Sequence, residues 1–219
     1  MTLIDSDSSR EQMVQQQVRA WDVLDERVLD TFRNVPRERF VPAEHRFLAF
    51  ADTDIPLPHG QHMLRPNVVG RLLQSLELTG SERVLEIGAG TGFVTACLAA
   101  GSAHVRSLEV FPDLADSART TLADLRISNV EVVTADATRL GTAERYEAIA
   151  LTASLPIRDE QFERLLAVGG RLFAIVGEPP VMEAWVVRCV AENVYARESL
   201  FETVVDPLIN ARRPRIFTF

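Results

Sequence analysis

Between Val84 and Ala99 the chain reads VLEIGAGTGFVTACLA: a short apolar strand, glycines at 88, 90 and 92, and then at once a helical pattern. Glycines in that place permit a tight strand-to-helix turn and let a ligand approach the backbone closely. A dinucleotide loop needs a third small residue three positions after its second glycine. Counting from Gly90 that position is Phe93, which is neither Gly nor Ala. The spacing is therefore G-x-G-x-G, with Glu86 two residues upstream, and it argues against a pyrophosphate cradle.

The flanking sequence extends this unit into a rhythm. RVLEIG is followed by FVTACLAA, HVRSLEV by PDLADSARTTLADL, VEVVTAD by YEAIALTA, and then come DEQFERLLAV and GRLFAIVG. Strands alternating with helices predict right-handed βαβ units and a doubly wound, mostly parallel α/β sheet. MEAWVVRCVAENVYARESLFETVV reads as two strands without a long helix between them, which predicts an antiparallel pair at one sheet edge. Upstream, Ser9 to about Phe47 is helical in spacing, with Asp22 or Asp25 as a cap, and Val68–Leu78 predicts a helix ended by Gly80. Between them DTDIPLPHGQHMLRP, rich in proline, reads as a long ordered loop of the kind that carries function. The expected organisation is one compact unit: residues 1–80 as N-terminal helices and a substrate-side loop, and 81–219 as the Rossmann-like binding domain.

Composition narrows the function classes. The net charge of −8 disfavours a phosphate-backbone partner. Arg212, Arg213 and Arg215 form a basic cluster that reads as a solvated tail. All 23 basic residues are arginine, which excludes Schiff-base lysine chemistry. Cys97 and Cys189 are too far apart in sequence to announce a disulfide framework or a zinc site. The polar, acidic N-terminus and the lack of a long apolar run predict a cytoplasmic protein that neither spans a membrane nor carries a signal peptide.

The acidic residues then fall into order. Glu109, with Val110 beside it, ends the second strand of the series about where doubly wound folds place an acid on a ribose. Asp136, followed by Ala137, ends the third, positioned to accept from an adenine amino group. Thr152 ends the fourth beside the same crevice. Together with Glu86, Gly88, Ala89, Gly90 and Gly92, this arrangement resembles the first motifs of class I methyltransferases. The cofactor implied is S-adenosyl-L-methionine.

The segment after the fourth strand, TASLP, lacks the Asn- or Asp-Pro-Pro-aromatic pattern of base-amino methylation. With no metal-ligand cluster in the sequence, the reading narrows to acceptors needing little chemical help. A carboxylate is one, since it is already ionised and alignment with desolvation suffices.

Over nearly its whole length the chain resembles the protein-L-isoaspartate O-methyltransferases. The segments that carry the resemblance are VLDERVLDTFRNVPRERFVP, LAFADTDIPLPHGQ, VLEIGAGTG, VRSLEV, TADA, YEAIALTA and LLAVGGRLFAIVG. The resemblance implies methylation of an isoaspartyl carboxylate on a protein or peptide, so that the ester collapses to a succinimide. It also implies that the loop at Gly60 and Gln61 meets the acceptor. Here the sequence departs from the family: His62, Met63 and Leu64 stand where Thr-Ile-Ser is usual, Ala137 replaces a glycine, and Ile209 follows Pro207-Leu208 in place of threonine. Leu64 occupies the position of a serine associated with catalysis and cannot make its hydrogen bonds. His62 is the candidate to replace that contact. Three readings follow: the isoaspartyl enzyme, a relative with another acceptor, and a non-catalytic S-adenosylmethionine-binding protein.

Overall fold

The computed structural model describes residues 6–141 and 143–214. The N-terminal part begins with α1 (Ser6–Met13), which passes into a π turn and a 3-10 turn ending at Trp21, and then α2 (Glu26–Asn34). Of the two aspartates expected to cap α2, Asp25 does so, accepting from Arg27 N–H at 2.9 Å. Asp22 instead ends the preceding turn in the left-handed region, at φ 60°. The proline-rich stretch folds into a miniature hairpin of β1 (Ile55–Pro56) and β2 (His62–Met63). α3 (Pro66–Leu76) follows, with proline in its first turn where a missing N–H costs nothing. Its left-handed terminator is Glu77, at φ 47°, rather than Gly80.

The alternating half supplies β3 (Arg83–Ile87), α4 (Phe93–Ala100), β4 (His104–Glu109), α5 (Pro112–Asp124), β5 (Val130–Thr134) and β6 (Tyr146–Leu155). After them come α6 (Glu160–Glu163), β7 (Leu166–Glu178), β8 (Val181–Ala191) and β9 (Val194–Thr203). The seven-stranded sheet runs β5-β4-β3-β6-β7-β8-β9. Every pairing from β5 to β7 is parallel, and β8 and β9 close the edge antiparallel, as the sequence rhythm predicts. One expected element shrinks. DEQFERLLAV makes a single helical turn, because Leu165 and Leu166 are drawn onto β6, where Tyr146 N–H donates to the Leu165 carbonyl at 2.9 Å.

The strand order reverses between β3 and β6, which places a crevice at the carboxyl ends of these strands. Alternation along β3 sorts its side chains. Val84 joins the core beneath α1–α4, and Leu85 and Ile87 join the opposite core with Phe162 and Leu165. Among the described residues no helix is long and apolar enough to cross a membrane.

Candidate active site

A cavity of about 360 Å³ lies over the carboxyl ends of β3, β4 and β6. Its floor is the glycine loop. Gly88 and Ala89 donate their N–H groups to the Leu108 carbonyl at 2.8 and 3.1 Å, which ties the loop to β4. Gly88 has φ +97°, and a side chain there would run into the Thr152 hydroxyl. That hydroxyl is committed to the loop, donating to the Ile87 and Gly88 carbonyls at 3.0 and 2.7 Å. Gly90, at φ +52°, lines the cavity, and the nearest atom to a Cβ built there is Leu57 Cδ1 at 3.6 Å. Gly92 and Ala89 belong to the loop's support and do not line the cavity.

Glu109 is buried at the end of β4. Its carboxylate accepts from Gly90 N–H at 2.8 Å and Phe111 N–H at 3.0 Å. A carboxylate offers about four acceptor positions, so two remain to face the cavity, which Glu109 and Val110 both line. Asp136 and Ala137 form the next part of the wall. Burial pushes the Asp136 carboxyl up, but the Thr138 hydroxyl and N–H, Asn210 and Arg139 outweigh it and hold the group below its usual range. The contacts are 2.7 Å from Thr138 Oγ1, 2.9 Å from its N–H and 3.0 Å from Asn210 Nδ2. Asp136 therefore also caps the 3-10 turn that follows it.

Glu86 is a correction. It was expected among the cofactor contacts, yet it is fully buried and does not line the cavity. The two-residue period of β3 turns it with Val84 toward α4, where Thr95 and Ser107 each donate to Oε2 at 2.5 Å. Ser107 is its register partner on β4. Burial raises the Glu86 carboxyl to about 7, against the lowering effect of the Ser107 and Thr95 hydrogen bonds. Glu86 thus braces the strand and helix that hold the loop.

The opposite wall comes from the hairpin and from the segment after β9. Gln61, His62 and Leu64 face the cavity, while Gly60 does not line it and Met63 is turned into the core. The hairpin is held at three points. Leu57 N–H donates to the Gln61 carbonyl at 2.8 Å. His59 lies 2.9 Å from Asp113 at the start of α5 and stacks on Phe111 with centroids 4.1 Å apart. Arg37, from the VPRERFVP segment, is completely buried and donates to the carbonyls of Ala49 at 2.9 Å and Leu64 at 2.8 Å. Its guanidinium lies 4.7 Å from the Phe93 ring centroid, and burial lowers it to about 10.

His62 meets a residue that sequence reasoning missed. Its Nδ1 lies 3.0 Å from Oδ2 of Asp206, which also lines the cavity. Asp206 is anchored in turn, its carbonyl accepting from Ser154 N–H at 2.8 Å at the end of β6. Asp54, Leu57, Phe111 and Val205 are among the other lining residues that sequence reasoning missed. For Phe111 the available signal was its place two residues after Glu109; for Asp206 there was no local signal. Pro207, Leu208 and Ile209, singled out as a departure, do line the cavity.

Among the described residues the lining carries Asp54, Glu109, Asp136 and Asp206 and no arginine, so acidic groups predominate there. Such a lining suits a ligand with a cationic centre. Among the described residues no group of histidines, cysteines and carboxylates is placed to hold a metal ion. Cys97 and Cys189 are both buried and free. Of the C-terminal basic cluster, Arg212 pairs with Asp159 at 3.4 Å, and Arg215 lies outside the described residues.

Known proteins resemble this chain in sequence and in fold. The profile of the Protein-L-isoaspartate(D-aspartate) O-methyltransferase (PCMT) family matches residues 8–200. A protein-L-isoaspartate O-methyltransferase of Rhodopseudomonas palustris is 38% identical over 201 residues, covering 91% of this chain and 92% of the relative. One from Methanoculleus marisnigri is 41% identical over 169 residues, covering 77% of each. In fold, the chain is similar to a Plasmodium falciparum structure described as a protein-L-isoaspartate O-methyltransferase in complex with S-adenosyl-L-homocysteine. The TM-score is 0.77 at 20% identity, over 93% of this chain and 97% of the other. The chain belongs to the protein-L-isoaspartate(D-aspartate) O-methyltransferase family.

Proposed function

We propose that the protein transfers the methyl group of S-adenosyl-L-methionine to the free carboxylate of an isoaspartyl residue in a protein or peptide. The observation that carries this reading is the meeting of two walls in one cavity: Gly88, Gly90 and Glu109 on one side, His62 and Leu64 on the other.

The residues fit the cofactor. Gly90 leaves open the space a side chain would fill, and Glu109 keeps acceptor capacity for a pair of ribose hydroxyls. Asp136 and Ala137 would border the adenine, and Val110 the ribose side. When bound, the sulfonium supplies an electrophilic methyl group, and the acidic lining complements its positive charge. The acceptor is anionic already, so the chain's own work is to hold it in line and exclude water. Leu64, Leu57 and Val205 are the apolar surfaces that would do the excluding, and Gln61 and His62 are the polar groups that would orient the acceptor. The lack of arginine among the described lining residues and the net charge of −8 support a protein acceptor over a nucleic acid. We place this activity in the cytoplasm.

The test is transfer of radiolabelled methyl from S-adenosyl-L-methionine to a synthetic isoaspartyl peptide, with the aspartyl isomer as control. Base-labile label on the isoaspartyl peptide is the expected result. Calorimetric binding of S-adenosylhomocysteine without any transfer would overturn the acceptor assignment and favour a relative with another substrate.

A further inference from the structure

We propose that Asn210 is a positioning residue for the cofactor's base. By donating to Asp136 it aims the open acceptor position of that carboxylate at the 6-amino group of the adenine. This rests on the S-adenosyl-L-methionine reading of the cavity above and holds whichever acceptor is methylated.

A carboxylate offers about four acceptor positions, and those of Asp136 are nearly filled. Its Oδ1 accepts from the Thr138 N–H at 2.9 Å and from the Thr138 hydroxyl at 2.7 Å. Its Oδ2 accepts from Asn210 Nδ2 at 3.0 Å. Arg139 approaches the same oxygen only to 3.4 Å, from a side chain that is 84% exposed. A solvated ion pair of that kind fixes little. One position on Oδ2 is left, and Asp136 lines the cavity between Ala135 and Ala137.

The two bonds from Thr138 hold one oxygen and leave the carboxylate plane free to turn about it. A donor on the second oxygen stops that rotation, and Asn210 supplies it. Burial raises the Asp136 carboxyl, but the bonds from Thr138 and Asn210, with Arg139, outweigh it. The group therefore stays ionised and only accepts, which settles that the amide presents its nitrogen to Asp136.

Asn210 stands 74 positions away, in a turn held by the end of β6. Leu208 N–H donates to the Ser154 carbonyl at 2.8 Å, and Ala211 N–H to the Leu208 carbonyl at 3.1 Å, closing the turn over Ile209 and Asn210. Asn210 has φ 62°, in the left-handed region that asparagine tolerates better than most residues with a side chain. Leu208 and Ile209 line the cavity and Asn210 does not, so it acts through Asp136. An adenine amino group donates to an acceptor so placed. A 6-oxo purine would present an acceptor to it, and a purine with hydrogen there would present nothing.

The test compares two ligands by calorimetry: S-adenosylhomocysteine, and its analogue with hydrogen in place of the 6-amino group. Wild type should bind the amino ligand about ten- to a hundred-fold more tightly, the range for a hydrogen bond to a charged group. Asn210→Gly removes the amide, and glycine keeps the left-handed backbone without strain. In that variant the preference should shrink by about three- to ten-fold, while affinity for the analogue stays at the wild-type value. Asn210→Asp, which sets a second carboxylate against Asp136, should shrink the preference at least as far. A purely structural role would weaken both ligands together, and that result overturns the proposal. So does a preference that either variant leaves intact, or a wild type that does not distinguish the two ligands. The failures are separable. Wild type that binds neither ligand sinks the cofactor reading, and the inference with it. Wild type that binds both, with a ratio unchanged in Asn210→Gly, sinks the inference alone.

Discussion

The Nη2 atom of Arg37 donates to the Leu64 carbonyl at 2.8 Å, tying the N-terminal helices to the cavity wall across 27 positions of sequence. The same guanidinium holds the Ala49 carbonyl and lies over Phe93, directly after the glycine loop. Replacing it leaves two buried carbonyls without donors, each costing about 1–3 kcal/mol. Arg37→Met should therefore lower the unfolding free energy in urea by about 2–6 kcal/mol and raise the KM for the acceptor peptide. Unchanged stability would mean that the loop does not depend on this tie.

Glu86 sets a pH dependence. Its carboxyl is raised to about 7 by burial, above the ordinary value of 4.5, so the folded state holds the proton more tightly than the unfolded chain. Stability from this group is full below about pH 4.5 and is lost as pH rises through about 7. The size is about 3 kcal/mol at 1.36 kcal/mol per unit. Urea titrations at pH 5, 6, 7 and 8 should show that decline in wild type, and Glu86→Gln should flatten it. A Glu86→Gln curve parallel to wild type would place the titration elsewhere.

Gly90→Val tests the floor of the cavity. The backbone at φ +52° is strained for a branched residue, and the new side chain would fill space kept open toward the ligand. Far-ultraviolet dichroism should remain that of a folded protein, while calorimetric binding of S-adenosylhomocysteine disappears. Full retention of binding would show that the ligand does not rest on this loop.

Leu64→Ser restores a hydroxyl to the cavity wall. A hydrogen bond to a charged group is worth about 1.5–3 kcal/mol, and about 1.4 kcal/mol is a factor of ten in rate. Methylation of an isoaspartyl peptide should rise by roughly ten- to a hundred-fold, with little change in S-adenosylmethionine affinity. A neutral result alongside full wild-type activity would make the serine position dispensable in this chain.

What could be read directly from the chain was whatever depends on near neighbours. The alternating apolar runs announced the parallel strands, and the 88–92 loop with Glu109 and Asp136 announced where the crevice lies, because these residues end successive strands of one sheet. Periods of two and 3.6 are local properties, and strand ends in a parallel sheet share one rim. The inward turn of Glu86 was legible in principle from that same period, since Val84 and Glu86 share a face. Tertiary structure alone decided the rest. Whether DEQFERLLAV stays helical depends on competition from β6, which captures Leu166. Whether Leu64 has a fixed backbone depends on Arg37. Whether His62 has an orienting partner depends on Asp206, 144 positions away, whose place is set by the hydrogen bonds that pin it to the end of β6. Such contacts join loops, and loops meet where folded strands deliver them, so no pattern within either segment encodes the meeting.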